Sequence, residues 1–539
     1  MKSIYLLLFV FSSVFVSAQV EDAWVYFKDK PNATTYLETP LLMLTQRALD
    51  RRSNQNIALD TKDIPIAMEY VDQIKAAAGI TYKAKSKWLN AIHVQGTSSD
   101  ITLLLDFAFV DKIDFADRSL NSTGKKAKNY KTSTINKKLE TKVDYGYGTS
   151  QNQIHMLNGD VLHQQNYTGS GKIIAVLDAG FPGVNTVQPF ARLRDNNQIL
   201  GGYNYVLRDA NFYTGDSHGT SVLSTMGGYT ENALVGTAPD ATYYLFVTED
   251  NSQESPVEES YWAEAAETAD SLGVDIITTS LGYSNKHTNP AYDYTYADMN
   301  GTTTFISRAA EIAFSRGMLV VASAGNEGNE VEPHISAPAD AVSVLTVGAV
   351  NASKTRAYFS SIGPSYDQRI KPDVMAQGLG TVLSDEFGAI VTASGTSFSC
   401  PIIAGMLACL WQANPTKSNQ EMRQLLLQSA DKYSNPTTQY GYGIPDFSLA
   451  LANGQLAVVN YSKKDLMLYP NPTSDAISIV FPQESLSGML TIYTILGQKI
   501  FEKEVVSNTV ISLKAVTSGM YLYQLKGATF TATGKIIKQ

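Results

Sequence analysis

Between residues 147 and 452, short apolar runs alternate with stretches whose apolar residues recur at helical spacing. The short runs are rich in β-branched residues and predict strands, and the longer stretches predict helices. Regular alternation of the two predicts an α/β fold, with a parallel sheet covered by helices on both faces. The predicted strands are 172–177, 242–247, 275–279, 318–323 and 343–347, and the predicted helices include 217–226, 258–272 and 307–315.

The flanking residues follow other patterns. Residues 19–120 mix strands with helical stretches, which predicts a small α+β domain. Residues 466–539 carry short alternating runs punctuated by Asn, Gly and Pro, which predicts a small all-β sandwich. Residues 121–146 hold seven lysines and few large apolar side chains, so we expect an exposed linker with a processing site, and 453–465 form a second linker.

The N-terminus has the pattern of a signal peptide. Lys2 precedes an apolar run from residue 4 to 16 that is too short to span a bilayer, and small residues follow it up to Ala18. We therefore expect a signal peptide over 1–18 and export of a chain that begins at Gln19. The alternative is a buried first strand or helix.

Composition narrows the class of protein. A chain of 539 residues is too long for one core, so several domains are expected. A net charge of −9 and a pI near 5.3 lack the basic character of nucleic-acid binders, so we expect no nucleic-acid partner. Cys400 and Cys409 are nine residues apart in one predicted helix, a rise of about 13 Å, which predicts two buried thiols rather than a disulfide. The acidic stretch 249–259 predicts a solvated surface loop.

Two candidate reactive residues lie at element boundaries. Asp178 ends an apolar run that is followed by a glycine turn, and His218 begins a predicted helix. Gly219 beside it leaves room for another chain segment. Each signal alone is weak, because many strands end in Asp and a histidine at a helix start is often a cap or a surface residue.

Two more candidates lie further along the chain. Asn326 follows a predicted strand within a glycine-flanked turn, from which its amide reaches a cleft or simply completes the turn. Ser397 follows a Gly-Thr pair and begins an apolar helix that continues to Trp411, so the helix dipole favours negative charge near it. Pro401 is expected in the first turn, where its missing N–H has no helical partner.

In the order Asp, His, Asn, Ser, these segments resemble the subtilisin-like serine proteases of the S8 family over residues 147–452. The stretches 235–239, 280–282 and 370–374 also match family landmarks. Three positions depart from the usual pattern: Ala179 replaces threonine, Ser221 a second histidine, and Phe398 methionine. None of them removes a reactive group, although Ala179 deletes a hydroxyl beside the aspartate.

The resemblance implies a serine endopeptidase (EC 3.4.21) that hydrolyses peptide bonds of proteins through an acyl-enzyme on Ser397. His218 would be the general base, Asp178 would orient it, and Asn326 would contribute to the oxyanion hole. No cofactor is required by this chemistry. Calcium sites are common in the family, but no residues of this sequence identify one, so no metal ligand is assigned.

The resemblance also assigns substrate-binding residues. An extended substrate would pair as an added strand with the edge formed by three consecutive residues, Ser280, Leu281 and Gly282. The same stretch, together with Ala324 and Gly325, would line the first specificity pocket.

Both flanks resemble known accessory domains. Residues 19–120, with the segment 86–92, look like the family's propeptide, which implies a zymogen whose own propeptide acts as an intramolecular inhibitor. The alternative is a permanent accessory domain. Residues 466–539 are similar to the type A C-terminal sorting domain read by the type IX secretion system of certain Gram-negative bacteria, which implies that machinery as a partner. The protein would then be secreted or attached to the cell surface after outer-membrane translocation, and a carbohydrate-binding sandwich is the alternative.

Two rival functions remain at this point. One is a catalytically silent subtilisin fold used as an adhesin or binding module. The other is an enzyme with the same triad and another role, such as a peptide ligase. The presence of all four reactive residues argues against the silent fold and favours an enzyme that acts on protein or peptide substrates. The second rival, which includes a highly selective processing protease, stays open until substrates are profiled.

Overall fold

A computed structural model describes residues 19–121, 145–455, 467–480, 487–494, 498–506, 508–527 and 531–539. The predicted signal peptide and nearly all of the first linker lie outside the described residues. Contacts divide the chain between residues 451 and 452 into two compact units. The first contains an N-terminal region (19–121) and a central region (from 145), and the second contains a C-terminal region (467–539).

The N-terminal region is an α+β domain built on a four-stranded antiparallel sheet. Its elements are β1 (Val20–Phe27), α1 (Ala33–Glu38), α2 (Gln46–Asn54), α3 (Met68–Lys75), β2 (Thr81–Ser86), β3 (Ala91–Thr97), α4 (Ser98–Leu103) and β4 (Val110–Phe115). The strand order is β2-β3-β1-β4.

Strand β1 is buried on both faces. Ala23, Val25 and Phe27 pack into the core of the N-terminal region with α3 and α4. Trp24 and Tyr26 alternate with them and pack into a cluster of the central region. The N-terminal region therefore completes its fold against the central region.

The central region is a doubly covered parallel sheet. Its first half contains α5 (Gln151–His155), α6 (Asp160–His163), β5 (Ile173–Asp178), α7 (Ala191–Asp195), β6 (Ile199–Asn204), α8 (His218–Gly227), β7 (Tyr229–Thr230), β8 (Leu234–Val235), β9 (Thr242–Val247), α9 (Val257–Leu272) and β10 (Ile276–Thr279). Its second half contains α10 (Phe305–Ser315), β11 (Leu319–Ser323), β12 (Leu345–Val350), β13 (Val374–Gln377), β14 (Thr381–Ser384), β15 (Ile390–Ala393), α11 (Thr396–Ala413), α12 (Asn419–Ser429) and α13 (Phe447–Gln455). Seven strands form the sheet in the order β13-β12-β11-β10-β5-β9-β6.

The two faces of the sheet hold separate helices. On β5, Ile174 and Val176 share a cluster with α8 and α11, whereas Ala175 and Leu177 share one with α9 and α10. The predicted fold class, a parallel sheet with helices on both faces, is confirmed.

Helix α11 is the central helix of this region. Among the described residues it is the one helix long and apolar enough to cross a membrane by length and composition, yet 89% of it is buried inside the protein. It packs against β10, β11, β12 and β13 as a core helix. Cys400 and Cys409 lie in it as buried thiols, as predicted.

The C-terminal region consists of two antiparallel sheets. Its strands are β16 (Met467–Tyr469), β17 (Ala476–Val480), β18 (Ser487–Thr494), β19 (Lys499–Val506), β20 (Val510–Ser512), β21 (Gly519–Gly527) and β22 (Thr531–Lys538). The orders are β16-β17-β20 and β19-β18-β21-β22. Ile479 from one sheet and Leu490 and Leu525 from the other share a single core, which confirms the predicted all-β sandwich.

Candidate active site

The predicted reactive residues converge on one edge of the central sheet. Asp178 is the last residue of β5, and Asn326 follows β11. His218 and Ser397 lie at the starts of α8 and α11. Because parallel strands end at the same edge, the carboxyl ends of β5 and β11 place their residues together.

Asp178 and His218 are hydrogen-bonded directly. His218 Nδ1 lies 2.7 Å from Asp178 Oδ1, which also accepts the backbone N–H of Ala179 at 2.8 Å. Helix α8 approaches β5 very closely, since a β-carbon on Gly219 would lie 2.4 Å from the Gly180 carbonyl oxygen and 2.9 Å from Asp178 Cβ. Glycine at 219 is therefore what lets the two residues meet.

The charges around His218 favour its protonated form. Burial lowers the pKa of His218, but the Asp178 carboxylate, followed by Asp216 and Glu249, more than offsets this and leaves the pKa above its usual 6.5. Asp216 Oδ1 also accepts the backbone N–H of His218 at 2.8 Å. The imidazole is thus held and made more basic by the same carboxylates.

One carboxylate oxygen of Asp178 accepts no hydrogen bond from the described residues. Among the described residues, the buried Asp178 Oδ2 has no hydrogen-bond partner. Ala179, where the resembled family usually has threonine, carries no hydroxyl that could donate to it. The aspartate is held through Oδ1 alone.

Ser397 lies at the N-terminus of α11 and is only 8% exposed. Its hydroxyl is 3.4 Å from the carbonyl oxygen of Ser280, and no described contact joins it to His218. The ring of the next residue, Phe398, is 5.8 Å from the His218 ring, which brings the histidine to this helix terminus. Ser397 is the second residue of α11, so its N–H belongs to the donors that have no helical partner.

A hydrogen bond ties the start of α11 to the residue that follows β10, at a carbonyl that Pro401 leaves without a helical donor. Pro401 is the sixth residue of α11, so the prediction that it lies in the first turn was wrong. A proline there removes the helical donor to the carbonyl of residue 397, four positions earlier. The hydroxyl of Ser280 donates to that Ser397 carbonyl at 2.8 Å instead.

Asn326 is oriented by the residue before the serine. Its Oδ1 accepts the backbone N–H of Thr396 at 2.9 Å and the Thr396 hydroxyl at 3.0 Å. This leaves Nδ2 as the side-chain atom that can donate to an incoming oxygen. No local pattern indicates the part played by Thr396, because its hydroxyl bonds to a residue 70 positions away in the chain.

The predicted substrate-binding residues flank this site. Ser280 is buried, Leu281 is half-buried and Gly282 is exposed directly after β10. Ala324 and Gly325 follow β11; Ala324 is fully buried, and Gly325 adopts a φ of +103° that a side chain would strain. Among these predicted substrate-binding residues, Gly282 is thus exposed to solvent, whereas the Ala324 side chain is enclosed by the protein.

Comparison with known proteins decides the family. Residues 169–443, about half of the chain, match the subtilase family (Peptidase_S8). The chain belongs to the subtilase family. Residues 22–134 match the Peptidase S8 propeptide domain of Bacteroidota, and residues 467–539 match the secretion system C-terminal sorting domain.

Several curated proteins are similar to this subtilase over its peptidase region. Subtilisin NAT of Bacillus subtilis subsp. natto is 31% identical over 301 residues, which is 55% of this chain and 69% of the relative. Subtilisin of Bacillus pumilus is 31% identical over 301 residues, 55% of this chain and 95% of the relative. Alkaline elastase YaB of Bacillus sp. (strain YaB) is 29% identical over 292 residues, 54% of this chain and 67% of the relative. The protein is accordingly a subtilisin-like serine endopeptidase with a propeptide and a type IX sorting domain, which implies export and secretion or cell-surface attachment.

The propeptide of this subtilase packs on α9 and α10. Trp24 Nε1 donates to the Ser260 hydroxyl at 2.8 Å, and the Trp24 ring stacks on Phe305 with centroids 5.0 Å apart. Glu267 accepts the Ser86 hydroxyl at 2.6 Å and the backbone N–H groups of residues 87 and 88, both at 2.9 Å. These contacts attach the propeptide sheet to α9 and α10, which cover one face of the central sheet.

The acidic stretch 249–259 is a solvated loop only in part: residues 251–253 are exposed and lie outside helices and strands, but the prediction was wrong for the end of the stretch. Glu258 and Glu259 are buried in the first turn of α9. Burial and then the neighbouring Glu249 raise the pKa of Glu258, and burial raises the pKa of Glu259 to about 7. The predicted helix 258–272 already contained both residues, so their helical spacing to the buried Trp262 was the available signal.

Calcium sites are common in this family. Within the described ranges, no group of three or more His, Cys, Asp or Glu side chains is arranged to hold a metal ion. No step of the chemistry below is assigned to a metal.

Proposed function

We propose that this subtilase hydrolyses peptide bonds of proteins through an acyl-enzyme on Ser397, with Asp178 and His218 completing the triad. The observation that carries the proposal is the hydrogen bond of 2.7 Å between Asp178 and His218 at the edge where α11 presents Ser397. Because Nδ1 is engaged by the carboxylate, Nε2 is the nitrogen that can take the serine proton.

Acylation follows from this arrangement. Ser397 Oγ attacks the carbonyl carbon of the substrate and transfers its proton to His218, and Asp178 stabilises the imidazolium. The carbon–nitrogen bond then breaks, and His218 gives the proton to the departing amine. A water molecule repeats the sequence on the ester, releasing the carboxylic acid and restoring Ser397.

The oxyanion of each tetrahedral intermediate needs donors in place beforehand. Asn326 Nδ2 and the backbone N–H of Ser397 are the two groups that we assign to it. The two hydrogen bonds that Thr396 donates to Asn326 Oδ1 support this role, because they fix the orientation of the amide before substrate binds. Removing such a donor typically lowers turnover roughly 10²–10³-fold.

Substrate binding and processing complete the proposal. Ser280, Leu281 and Gly282 would pair with an extended protein or peptide substrate, and Ala324 and Gly325 would line the first pocket. The propeptide would act as an intramolecular inhibitor until it is cut off, and the type IX machinery would export the protein. The proposed boundaries are 1–18 for the signal peptide, 19–120 for the propeptide, 121–146 for the processed linker, 147–452 for the peptidase domain, 453–465 for the second linker and 466–539 for the sorting domain.

The test is covalent labelling of the purified protein, with its propeptide removed, by a fluorophosphonate probe and location of the adduct by peptide mass spectrometry. We expect the adduct on Ser397, with labelling reduced at least about 10³-fold in His218→Ala because the base is lost. The matched control is Ser399→Ala, whose buried hydroxyl contacts only the Thr396 carbonyl and which should keep the adduct. A folded protein free of its propeptide that forms no adduct would instead be a catalytically silent binding module.

A further inference from the structure

The two predicted walls of the first specificity pocket are attached to neighbouring segments of the chain by backbone hydrogen bonds. Tyr283, directly after the wall of residues 280–282, exchanges two such bonds with Ala337, at 2.9 and 3.1 Å. Gly325, in the other wall, accepts the backbone N–H of Ser361 at 3.0 Å. The segments around Ala337 and Ser361 therefore place their side chains close to the two walls.

Three polar side chains lie beside the glycines of these walls. A β-carbon on Gly282 would lie 2.2 Å from Ser336 Oγ, and one on Gly325 would lie 3.4 Å from the same atom. The β-carbon on Gly325 would also lie 2.5 Å from Glu327 Oε2 and 2.8 Å from Ser361 Oγ. Ser336 Oγ thus lies within reach of both walls, and a carboxylate and a second hydroxyl lie against one of them. The predicted pocket is therefore polar at both walls.

Glu327 is the charged member of this set, and both of its carboxylate oxygens have partners. Oε1 accepts a hydrogen bond from Lys286 Nζ at 2.9 Å, and Oε2 accepts one from the Ser361 hydroxyl at 3.0 Å. Lys286 also lies 3.2 Å from Glu330, whose side chain is 49% exposed, whereas that of Glu327 is only 16% exposed. In the part of the chain that the structure describes, Lys286 is the one cation paired with Glu327. The more shielded carboxylate therefore depends on a single lysine for its counter-charge.

Lys286 carries a positive charge beside the predicted pocket. It lies four residues after Gly282, in the connection between β10 and α10. Burial lowers the pKa of Lys286, but Glu327 and then Glu330 more than offset this and leave the pKa above its usual 10.5. The ammonium group is therefore protonated throughout the neutral range.

This charge acts against basic side chains of a substrate. A lysine or arginine in the pocket could pair with Glu327 only by displacing Lys286 or by lying a few ångströms from its ammonium group, where two like charges repel. An uncharged side chain meets neither cost, because the ion pair can stay intact beside it. A group that repels the wrong ligand contributes to specificity in the same way as one that attracts the right ligand.

We propose that Lys286 is a specificity-determining residue of this subtilase, which occupies the Glu327 carboxylate and thereby excludes basic side chains from the first pocket. The enzyme then cleaves after uncharged residues and spares the bonds that follow lysine or arginine. This inference rests on the proposed function and deepens it, because it assigns the class of side chain that precedes the cleaved bond.

The test measures cleavage of peptides that differ only in the residue before the cleaved bond. A digest of a denatured protein by the enzyme, with its propeptide removed, supplies a cleaved sequence, and peptides of that sequence are made with lysine or leucine at this position. The readout is the ratio of kcat/KM for the lysine peptide to kcat/KM for the leucine peptide, which should be well below one. We expect Lys286→Met to raise this ratio about 10- to 100-fold, because Glu327 becomes free to pair with the substrate cation. Lys286→Arg keeps the cation and should keep the ratio of the unaltered enzyme.

Two further variants separate the effect of charge from that of shape. In Lys286→Met combined with Glu327→Gln, the freed carboxylate is absent, so the ratio should return towards that of the unaltered enzyme, whereas a pocket that had only become wider would keep the gain. Lys417→Met is the matched control, because Lys417 also pairs with a glutamate, Glu421, at 3.6 Å. Lys417 lies beyond the far end of α11, about 27 Å from the start of that helix, so its loss should leave the ratio unchanged.

Either of two results would overturn the inference: a preference of the unaltered enzyme for the lysine peptide, or a ratio in Lys286→Met that is no higher than in Lys417→Met. A different result, the failure of the unaltered enzyme to cleave any denatured protein, would contradict the proposed function, and the inference would fall with it.

Discussion

At the scale of single residues, the candidate site is organised by the carboxylates around one imidazole. Asp178 binds His218 Nδ1 directly, and Asp216 binds the backbone of the same residue. Both carboxylates stabilise the imidazolium. In the proposed mechanism, neutral His218 accepts the serine proton, and it is therefore available only above a pKa that lies higher than 6.5.

This arrangement predicts the acid side of the pH profile. General-base catalysis requires neutral His218, so kcat/KM should fall as pH drops through its raised pKa. Asp216→Asn removes one nearby negative charge while its amide oxygen can still accept the backbone N–H, so the acid limb should move to lower pH. The measurement is kcat/KM against pH on a small peptide substrate. Asp209→Asn serves as the control, since Asp209 is exposed and its Oδ1 contacts the backbone of Asn211; an acid limb that stays in place or moves upward in Asp216→Asn would contradict the assignment.

The residues of the candidate site could be proposed from the sequence, but the contacts that support them could not. Asp178, His218, Asn326 and Ser397 were visible because each stands in a short local motif at an element boundary. Thr396 donates a hydrogen bond to Asn326, and Ser280 donates one to the Ser397 carbonyl in α11. Both bonds join residues far apart in the chain, which meet only at the folded edge of the sheet.

At the scale of elements, one hydroxyl group links the end of β10 to the start of α11 through a hydrogen bond. Pro401 deprives the Ser397 carbonyl of its helical donor, and Ser280 replaces that donor at 2.8 Å. The start of the nucleophile helix is thus tied to the strand that leads into the predicted substrate edge.

Loss of this hydroxyl should affect both stability and rate. Ser280→Ala leaves the buried Ser397 carbonyl without its donor, which should lower the free energy of unfolding by about 1–3 kcal/mol. Because the carbonyl belongs to the nucleophile itself, kcat should fall about tenfold with KM less affected. Urea unfolding and steady-state kinetics measure the two effects. Ser429→Ala, which removes a buried hydroxyl bonded within its own helix, is the control and should leave kcat unchanged.

Helices and strands whose apolar residues recur at a regular spacing could be predicted from the sequence, and those without such a spacing could not. Strand β9 has the predicted limits, and α8, α9 and α10 differ from theirs by one or two residues. Strand β6 was missed because its two glycines and partly exposed residues hide any alternation. Helix α2 was missed because the residues that it buries include Arg51 and Arg52, so the packing that stabilises it is ionic and leaves no hydrophobic pattern.

At the scale of the whole molecule, the peptidase unit and the sorting sandwich have separate cores. The C-terminal region builds its core from its own two sheets. The division falls within α13, and the first half of this helix belongs to the peptidase unit, since Phe447 and Ala450 are fully buried in the core of the central region.

A truncation series should show this division. In a Ser397→Ala background, a chain that ends at residue 455 should unfold at nearly the same temperature as the full chain, because no core residue of the peptidase unit is lost. A chain that ends at residue 446 should lose at least about 3 kcal/mol, because Phe447 leaves a cavity. Calorimetry measures both, and equal losses in the two chains would contradict the division. In cells, fractionation should find the 455 chain retained inside the outer membrane, since it lacks the sorting domain.

The burial of β1 on both faces makes departure of the propeptide hard to reverse. Once the propeptide leaves, Trp24 and Tyr26 exchange a packed apolar face for water, and the strand that carries them is covered on one side only. In the proposed function, a domain left in that condition is easily opened and digested by the protease that it has just released. Activation of each molecule is then irreversible, because the enzyme destroys the domain that could have inhibited it again.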